Sequence, residues 1–293
     1  GFVLGAFAAA GLWELETSRL QARVLAEFGQ GLRYSVNSGA SSDIRFPRGG
    51  PFDERRGYSR IGEFVERLKA GGFEVERQAS QSPQLIEVMD FGLQPPYREK
   101  PQAGLEVLDR GGSRMFAAQF PGQVYPSFDS IPPIVVRTLS FIEDRNVVEA
   151  ETATYNPAID WRRFAKAIVD NAVASVDDER RGPGGSTLAT QLEKMRHSPD
   201  GVTKGATEKL RQIASASLRA YREGEETWGA RQSVITEYLN SLPLGAAPAD
   251  GEVIGLAQGL AAWYGAEFDA VNAVLARETA EPDSGLALKQ VLS

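Results

Sequence analysis

The chain has 293 residues, 42% hydrophobic and 24% charged, which exceeds one average domain and leaves enough apolar material for a sizeable core. A net charge of −7 and a pI near 5.1 exclude a general nucleic-acid binder; an anionic ligand would need a local basic patch. Cysteine is absent, which removes disulfides and thiolate metal sites.

The chain opens with GFVLGAFAAAGLW, thirteen residues without a charge. A membrane span needs roughly 20 apolar residues and a secretory signal core roughly 7–15, so this stretch fits a buried helix, a signal remnant or, the preferred reading, the outer half of a truncated anchor. ELETSRLQARVLAEFGQGLRY then reads as an amphipathic helix beside the membrane, and residues 1–36 form an anchor and juxtamembrane segment. Residues 37–58, rich in Gly, Ser, Pro and charge, read as loop. Ile61, Phe64, Val65 and Leu68 recur at helical spacing before a double glycine, and FEVERQA alternates as a strand. AGLEVLDRGGSRMFAAQF reads as a hairpin around an Asp-Arg-Gly-Gly turn. Residues 37–122 thus form a small α+β domain, expected to serve as a spacer or docking module.

From Ser130 the pattern becomes helical. IPPIVVRTLSFIEDR sets a proline pair at a helix start. NPAIDWRRFAKAIVDNAV places Trp161, Phe164, Ala165, Ile168 and Ala172 on one helix face, and ERRGPGG is loop. Ser186 suits an N-cap for a helix running to about Met195. HSPDGVTKGA, which contains the only histidine, reads as loop. Helices follow over 207–222, 229–242 and 252–264, and 271–293 reads as a linker or tail. In the helix over 207–222, Leu210, Ile213, Ala214, Ser217 and Tyr221 form a core stripe. Glu208, Gln212, Ser215 and Arg219 make a narrow polar arc opposite. Between residues 194 and 222 stand seven Lys or Arg against two acidic residues, a local reversal of the chain's charge. Lys offers a point charge and Arg a planar fork to phosphate oxygens. The neighbouring helix start adds free N–H groups, and together these predict a phosphate-handling cleft. No dense carboxylate cluster marks a preformed metal site, although Mg²⁺ or Mn²⁺ is compatible with a bound phosphate group.

FIEDRNVVEA, GGSTLATQLEK and ITEYLNSLPLG, in this order, resemble signature motifs of the peptidoglycan glycosyltransferases, the transglycosylase domains of penicillin-binding proteins and their monofunctional relatives. The run-in DRGG…FDSIPPIVVRTLSFIEDR and the later LAAWYG resemble further segments of that family, and the likeness spans roughly 104–266. It implies a mainly α fold: a lysozyme-like glycosyltransferase lobe over 123–270, preceded by the small α+β domain. It also implies polymerisation of lipid II into peptidoglycan glycan strands, with inversion and release of undecaprenyl pyrophosphate.

By the same resemblance Glu143 is the base that takes the acceptor proton, supported by Asp144 and Arg145. Lys194, Lys209 and Arg211 contact the pyrophosphate, with Arg196 and Arg219 in the same basic group. Ser186, Thr187 and Gln191 shape the substrate cleft. The implied partners are lipid II, the nascent glycan strand, the membrane, and cell-wall synthesis proteins reached through the small domain; nucleic acid is not among them. The implied location is the outer face of the bacterial cytoplasmic membrane, on a single-pass anchor. EKLRQ departs from the family: Glu208 stands where arginine is expected and Gln212 where a second glutamate is expected. Glutamine cannot act as a base. Either Glu208, on the same arc, takes over that role, or the enzyme manages without it; the alternative is a membrane-anchored homologue that binds lipid II without turning it over. A lysozyme-type glycan-cleaving enzyme has no support, because nothing pairs Glu143 with a second carboxylate.

Overall fold

The computed structural model describes residues 2–46, 49–161, 186–277, 289 and 291. The fold is mainly α, with three two-stranded antiparallel sheets among the described residues. The predicted helix through Phe164, Ala165, Ile168 and Ala172 and the loop after it lie outside those residues. The described residues group into two compact units, one drawn from 1–97 and 149–231 and the other from 98–148 and 232–293.

In the first unit, α1 (Phe2–Thr17) and α2 (Arg19–Gly29) replace the single amphipathic helix predicted from residue 14. Ser18 breaks the helix in a left-handed conformation, φ 52°. The Glu14 carboxylate then accepts the N–H groups of Leu20 and Gln21 at 2.8 and 2.9 Å, a cap that favours a fresh helix start. Among the described residues no helix is long and apolar enough to cross a membrane. Strand β1 (Tyr34–Ser38) pairs with β2 (Arg77–Gln81), so the strand predicted over 73–79 forms four residues later. Between them lie α3 (Pro51–Arg55) and α4 (Ile61–Ala70). The periodicity that predicts α4 is not a burial signal, for Phe64 and Leu68 are exposed.

Helix α5 (Pro83–Asp90) starts at Ser82, whose hydroxyl accepts from the Leu85 N–H and donates to the Gly31 carbonyl. This ties the helix start to the chain leaving α2. Leu85 and Val88 bury against Leu32 and against Leu218 of α9 (Ala206–Tyr221). Ala22 and Ala26 of α2 pack on Ala220 and Tyr221, small side chains letting the two helices close up. Helix α8 (Leu188–His197) packs on the other side of α9 and against α3.

Burial of α9 on two sides corrects the predicted core stripe. Leu210 is 61% exposed, whereas Gln212 and Ser215 of the expected polar arc are buried. His197 ends α8 instead of lying in a loop. Gly50, at φ 104°, brings α3 onto the end of α8. A Cβ there would collide with the Arg196 carbonyl oxygen and lie 2.6 Å from the His197 Cα. Gly50→Ala is therefore expected to destabilise the protein by about 1–3 kcal/mol or more, measured by denaturant unfolding.

In the second unit, β3 (Ala103–Leu108) and β4 (Arg114–Phe120) form the predicted hairpin. The Asp109 carboxylate closes its turn by accepting the N–H groups of Gly111 and Ser113, each at 2.8 Å. Helix α6 (Pro133–Ile142) begins at the proline pair, as the sequence suggests. After α7 (Asn146–Glu149) and α10 (Trp228–Ser241) comes a hairpin of β5 (Pro243–Ala247) and β6 (Gly251–Ile254). Its pairing consumes the first residues of the helix expected over 252–264, and α11 spans Gly255–Tyr264. Helix α12 (Phe268–Ala276) packs on α11 and α6. Asn240 exchanges two hydrogen bonds of 2.8 Å with the Tyr125 backbone, while the Tyr125 ring meets Phe268 edge-on. Asn240 is thus a structural bridge.

Candidate functional site

The start of α8 is built by its own threonines. Thr187, not Ser186, is the N-cap: its hydroxyl accepts from the Thr190 N–H at 3.3 Å, and Thr190 returns a bond to the Thr187 N–H at 3.0 Å. Buried Leu188 and Leu192 hold the helix to the unit, and Gln191 is half-buried. With Thr187 as cap, the Ser186 hydroxyl is left outside the helix, where it accepts from the Lys209 ammonium at 2.8 Å. The same ammonium reaches the Thr190 hydroxyl at 3.4 Å. Burial, and then the positive charge of Lys194, push the Lys209 ammonium below the usual lysine range. Two cations, Lys209 and Lys194, thus stand near the capped start of α8, a composition suited to a phosphate.

That arrangement predicts a pH response. A lowered pKa means that Lys209 loses its charge earlier than an ordinary lysine as pH rises. Inorganic pyrophosphate is expected to bind more weakly as pH climbs toward 10, and Lys209→Met to weaken binding about tenfold at neutral pH and flatten that fall. Titration calorimetry at several pH values checks both.

A cavity of about 310 Å³ is lined by Glu193 and His197 of α8 and by Glu208, Arg211, Gln212 and Ser215 of α9 among others. The Gln212 amide donates to the Ser198 hydroxyl at 2.8 Å and to the Thr203 hydroxyl at 3.0 Å, fixing the chain between α8 and α9. Glu208 accepts the Lys204 N–H at 2.7 Å. Its carboxyl is held below the usual range by the Ser198 hydroxyl, then by that N–H and the charges of Lys204 and Arg211. The Arg211 guanidinium lies against Gly92, where even a methyl group would be tight.

Glu193, which the sequence reading did not single out, is only 2% exposed. Its Oε1 accepts from Arg219 Nε at 2.8 Å, with Arg196 at 3.9 Å. Arg219 also donates to the Pro95 and Tyr97 carbonyls, and Arg196 lies over the Phe52 ring. The guanidinium groups of Arg196 and Arg219 are thus engaged inside the unit. His197 sits between two carboxylates, Nδ1 3.1 Å from Asp53 and Nε2 3.7 Å from Glu193. The signal available in sequence was a glutamate flanked at helical spacing by an arginine and the single histidine.

The second unit carries the other expected residues. Glu143 is half-buried at the C-cap of α6, where its N–H bonds the Leu139 carbonyl. The Tyr238 hydroxyl is pushed up to about 12 by burial and then by the charge of Glu143, which sets that carboxylate near the tyrosine. Asp144 is buried, and Arg145 lies 4.3 Å over the Phe141 ring. The structure therefore brings Ser186, Thr187, Lys194 and Lys209 together, and Glu208, Arg211 and Gln212 around the cavity, all in the first unit. Glu143, Asp144 and Arg145 form a separate group in the second. Among the described residues no three His, Asp or Glu side chains gather as metal ligands.

A family model described as transglycosylase matches residues 115–281. No curated protein matches the chain in sequence.

Proposed function

The chain belongs to the transglycosylase family, whose model covers residues 115–281 of its 293, and on that premise we propose that it polymerises lipid II into glycan strands. The observation that carries this reading is the family match over both the Glu143 segment and the helix that bears Lys194.

In the proposed reaction the 4-hydroxyl of one lipid-linked disaccharide attacks the anomeric carbon of a growing chain. Glu143 takes the hydroxyl proton as the new C–O bond forms. The bond to pyrophosphate breaks on the opposite face, giving inversion, and its electrons remain on the leaving oxygens. Lys209 and Lys194 offset the charge that develops there. Ser186 and Thr190 hold the Lys209 ammonium, so little reorganisation is needed when the charge appears. Gln212 does not act as a base; its amide secures the connection between α8 and α9 at Ser198 and Thr203. The reading sets the protein at the outer face of the cytoplasmic membrane, where the lipid tail of the substrate stays embedded.

Incubation with labelled lipid II in detergent or vesicles tests the proposal: long glycan chains and released undecaprenyl pyrophosphate are expected. Saturable binding of lipid II with no polymer would instead mark a binding homologue without turnover.

A further inference from the structure

His197 is the only histidine of the chain, and its buried ring has a carboxylate on each side. Nδ1 stands 3.1 Å from the buried Asp53 carboxylate of α3, and Nε2 stands 3.7 Å from Oε2 of Glu193, one turn earlier on α8. A neutral imidazole carries a single N–H, so one of its nitrogens would turn a lone pair toward a buried negative charge. An imidazolium carries two and meets both carboxylates with positive charge. Its place in the last turn of α8 adds to this, because a helix C-terminus favours a cation.

The neighbouring cations are turned elsewhere. Arg219 and Arg196 both meet Oε1 of Glu193, at 2.8 and 3.9 Å, and not the Oε2 that faces the ring. The Arg56 guanidinium at the end of α3 lies 4.5 Å over the Phe52 ring. On α9 the charge of Arg211 falls on Glu208, and after α8 Asp200 is exposed and paired with Lys204 at 3.0 Å. The ring thus ties α3 to the end of α8, while Glu193 ties α8 to α9 through Arg219. Lys194 belongs to the same last turn, three residues before His197, and its charge reaches Lys209. Two like charges held this close repel, so the turn that carries one of them needs a restraint.

We propose that His197 is a positioning residue: as an imidazolium between Asp53 and Glu193 it fixes the last turn of α8 and so keeps Lys194 beside Lys209 to receive an anion. The identity of that anion as pyrophosphate rests on the transfer reaction proposed above; the clamp rests on the buried geometry alone.

With a single histidine in the untagged chain, the nitrogen NMR signals of the ring read its charge directly in wild type. An ordinary histidine is about nine-tenths neutral at pH 7.5, whereas both ring nitrogens of His197 are expected to be protonated there. A neutral ring overturns the inference. Asp53→Asn keeps the shape and an acceptor for Nδ1 but removes the charge. In protein shown to be folded it is expected to leave the ring neutral at that pH and to weaken the binding of inorganic pyrophosphate about fivefold, measured by titration calorimetry. Lys194→Met is expected to weaken binding less in the Asp53→Asn background than in wild type, because a lysine already out of place has less to lose. Additive losses, or no loss in Asp53→Asn, overturn the inference, since a residue that merely supports the fold would not couple to Lys194. Pyrophosphate that fails to bind wild type overturns the phosphate site of the proposed function instead, and the ring spectrum still decides the clamp.

Discussion

Glu143→Gln is expected to lower glycan polymerisation by about 10²–10⁴-fold while leaving the fold intact. The substitution preserves shape and the backbone bond from residue 143 to the Leu139 carbonyl. It removes the capacity to take a proton, because an amide is not a base at neutral pH. The loss should fall on kcat, with KM for lipid II little changed, as befits an interaction made only in the transition state. A second readout reports the position of the carboxylate independently of activity. The Tyr238 hydroxyl is raised mainly by burial and then by the negative charge of Glu143. Removing that charge makes the phenolate easier to form, so its titration midpoint should drop below about 12 without reaching the ordinary tyrosine value. Ultraviolet titration of the two proteins measures it. Full activity in Glu143→Gln would remove this residue from the chemistry.

Arg219→Met is expected to cost about 3–5 kcal/mol of stability, because it strips a buried carboxylate of its nearest cation. Burial pushes the Glu193 carboxyl up, but the charges of Arg219, His197 and Arg196 outweigh it and hold the group below its ordinary value of 4.5. The sign follows from linkage. A carboxylate with a depressed folded pKa stabilises the native state above its unfolded value and loses that contribution as pH falls through the folded one. Wild type should therefore keep the Glu193 contribution near neutrality and lose it progressively below about pH 4.5. In Arg219→Met the depression shrinks and the acid transition moves to higher pH. Urea unfolding across pH 3–8 measures both effects. The experiment also separates two roles for an arginine that the sequence grouped with phosphate-binding residues: a cation reserved for substrate would change affinity and leave unfolding untouched.

The difficulty in reading Arg219 and Arg196 from sequence is physical. A basic residue on an amphipathic helix has the same signature whether its guanidinium meets solvent, a phosphate or a buried glutamate. Glu193 lay four residues before the single histidine at ordinary helical spacing, yet nothing in the one-dimensional pattern says that α3 folds back to set Asp53 against His197. That contact depends on Gly50, whose missing Cβ lets one backbone approach another. Gln212 raises the same point. The polar arc on α9 looks like a solvent or ligand face by periodicity alone, but the helix is packed on two sides, so part of the arc became interior.

The sequence by itself determined the mainly helical character, the β3–β4 hairpin with its Asp-Arg-Gly-Gly turn, the proline start of α6, and the family. These rest on local periodicity, turn chemistry and ordered motifs, which need no knowledge of distant contacts. Only the tertiary structure decided which side of α9 is buried, which lysine meets Ser186, and which cations Glu193 neutralises. Those outcomes depend on which helices approach one another and how closely, and on the high cost of leaving a charge unpaired once water is excluded.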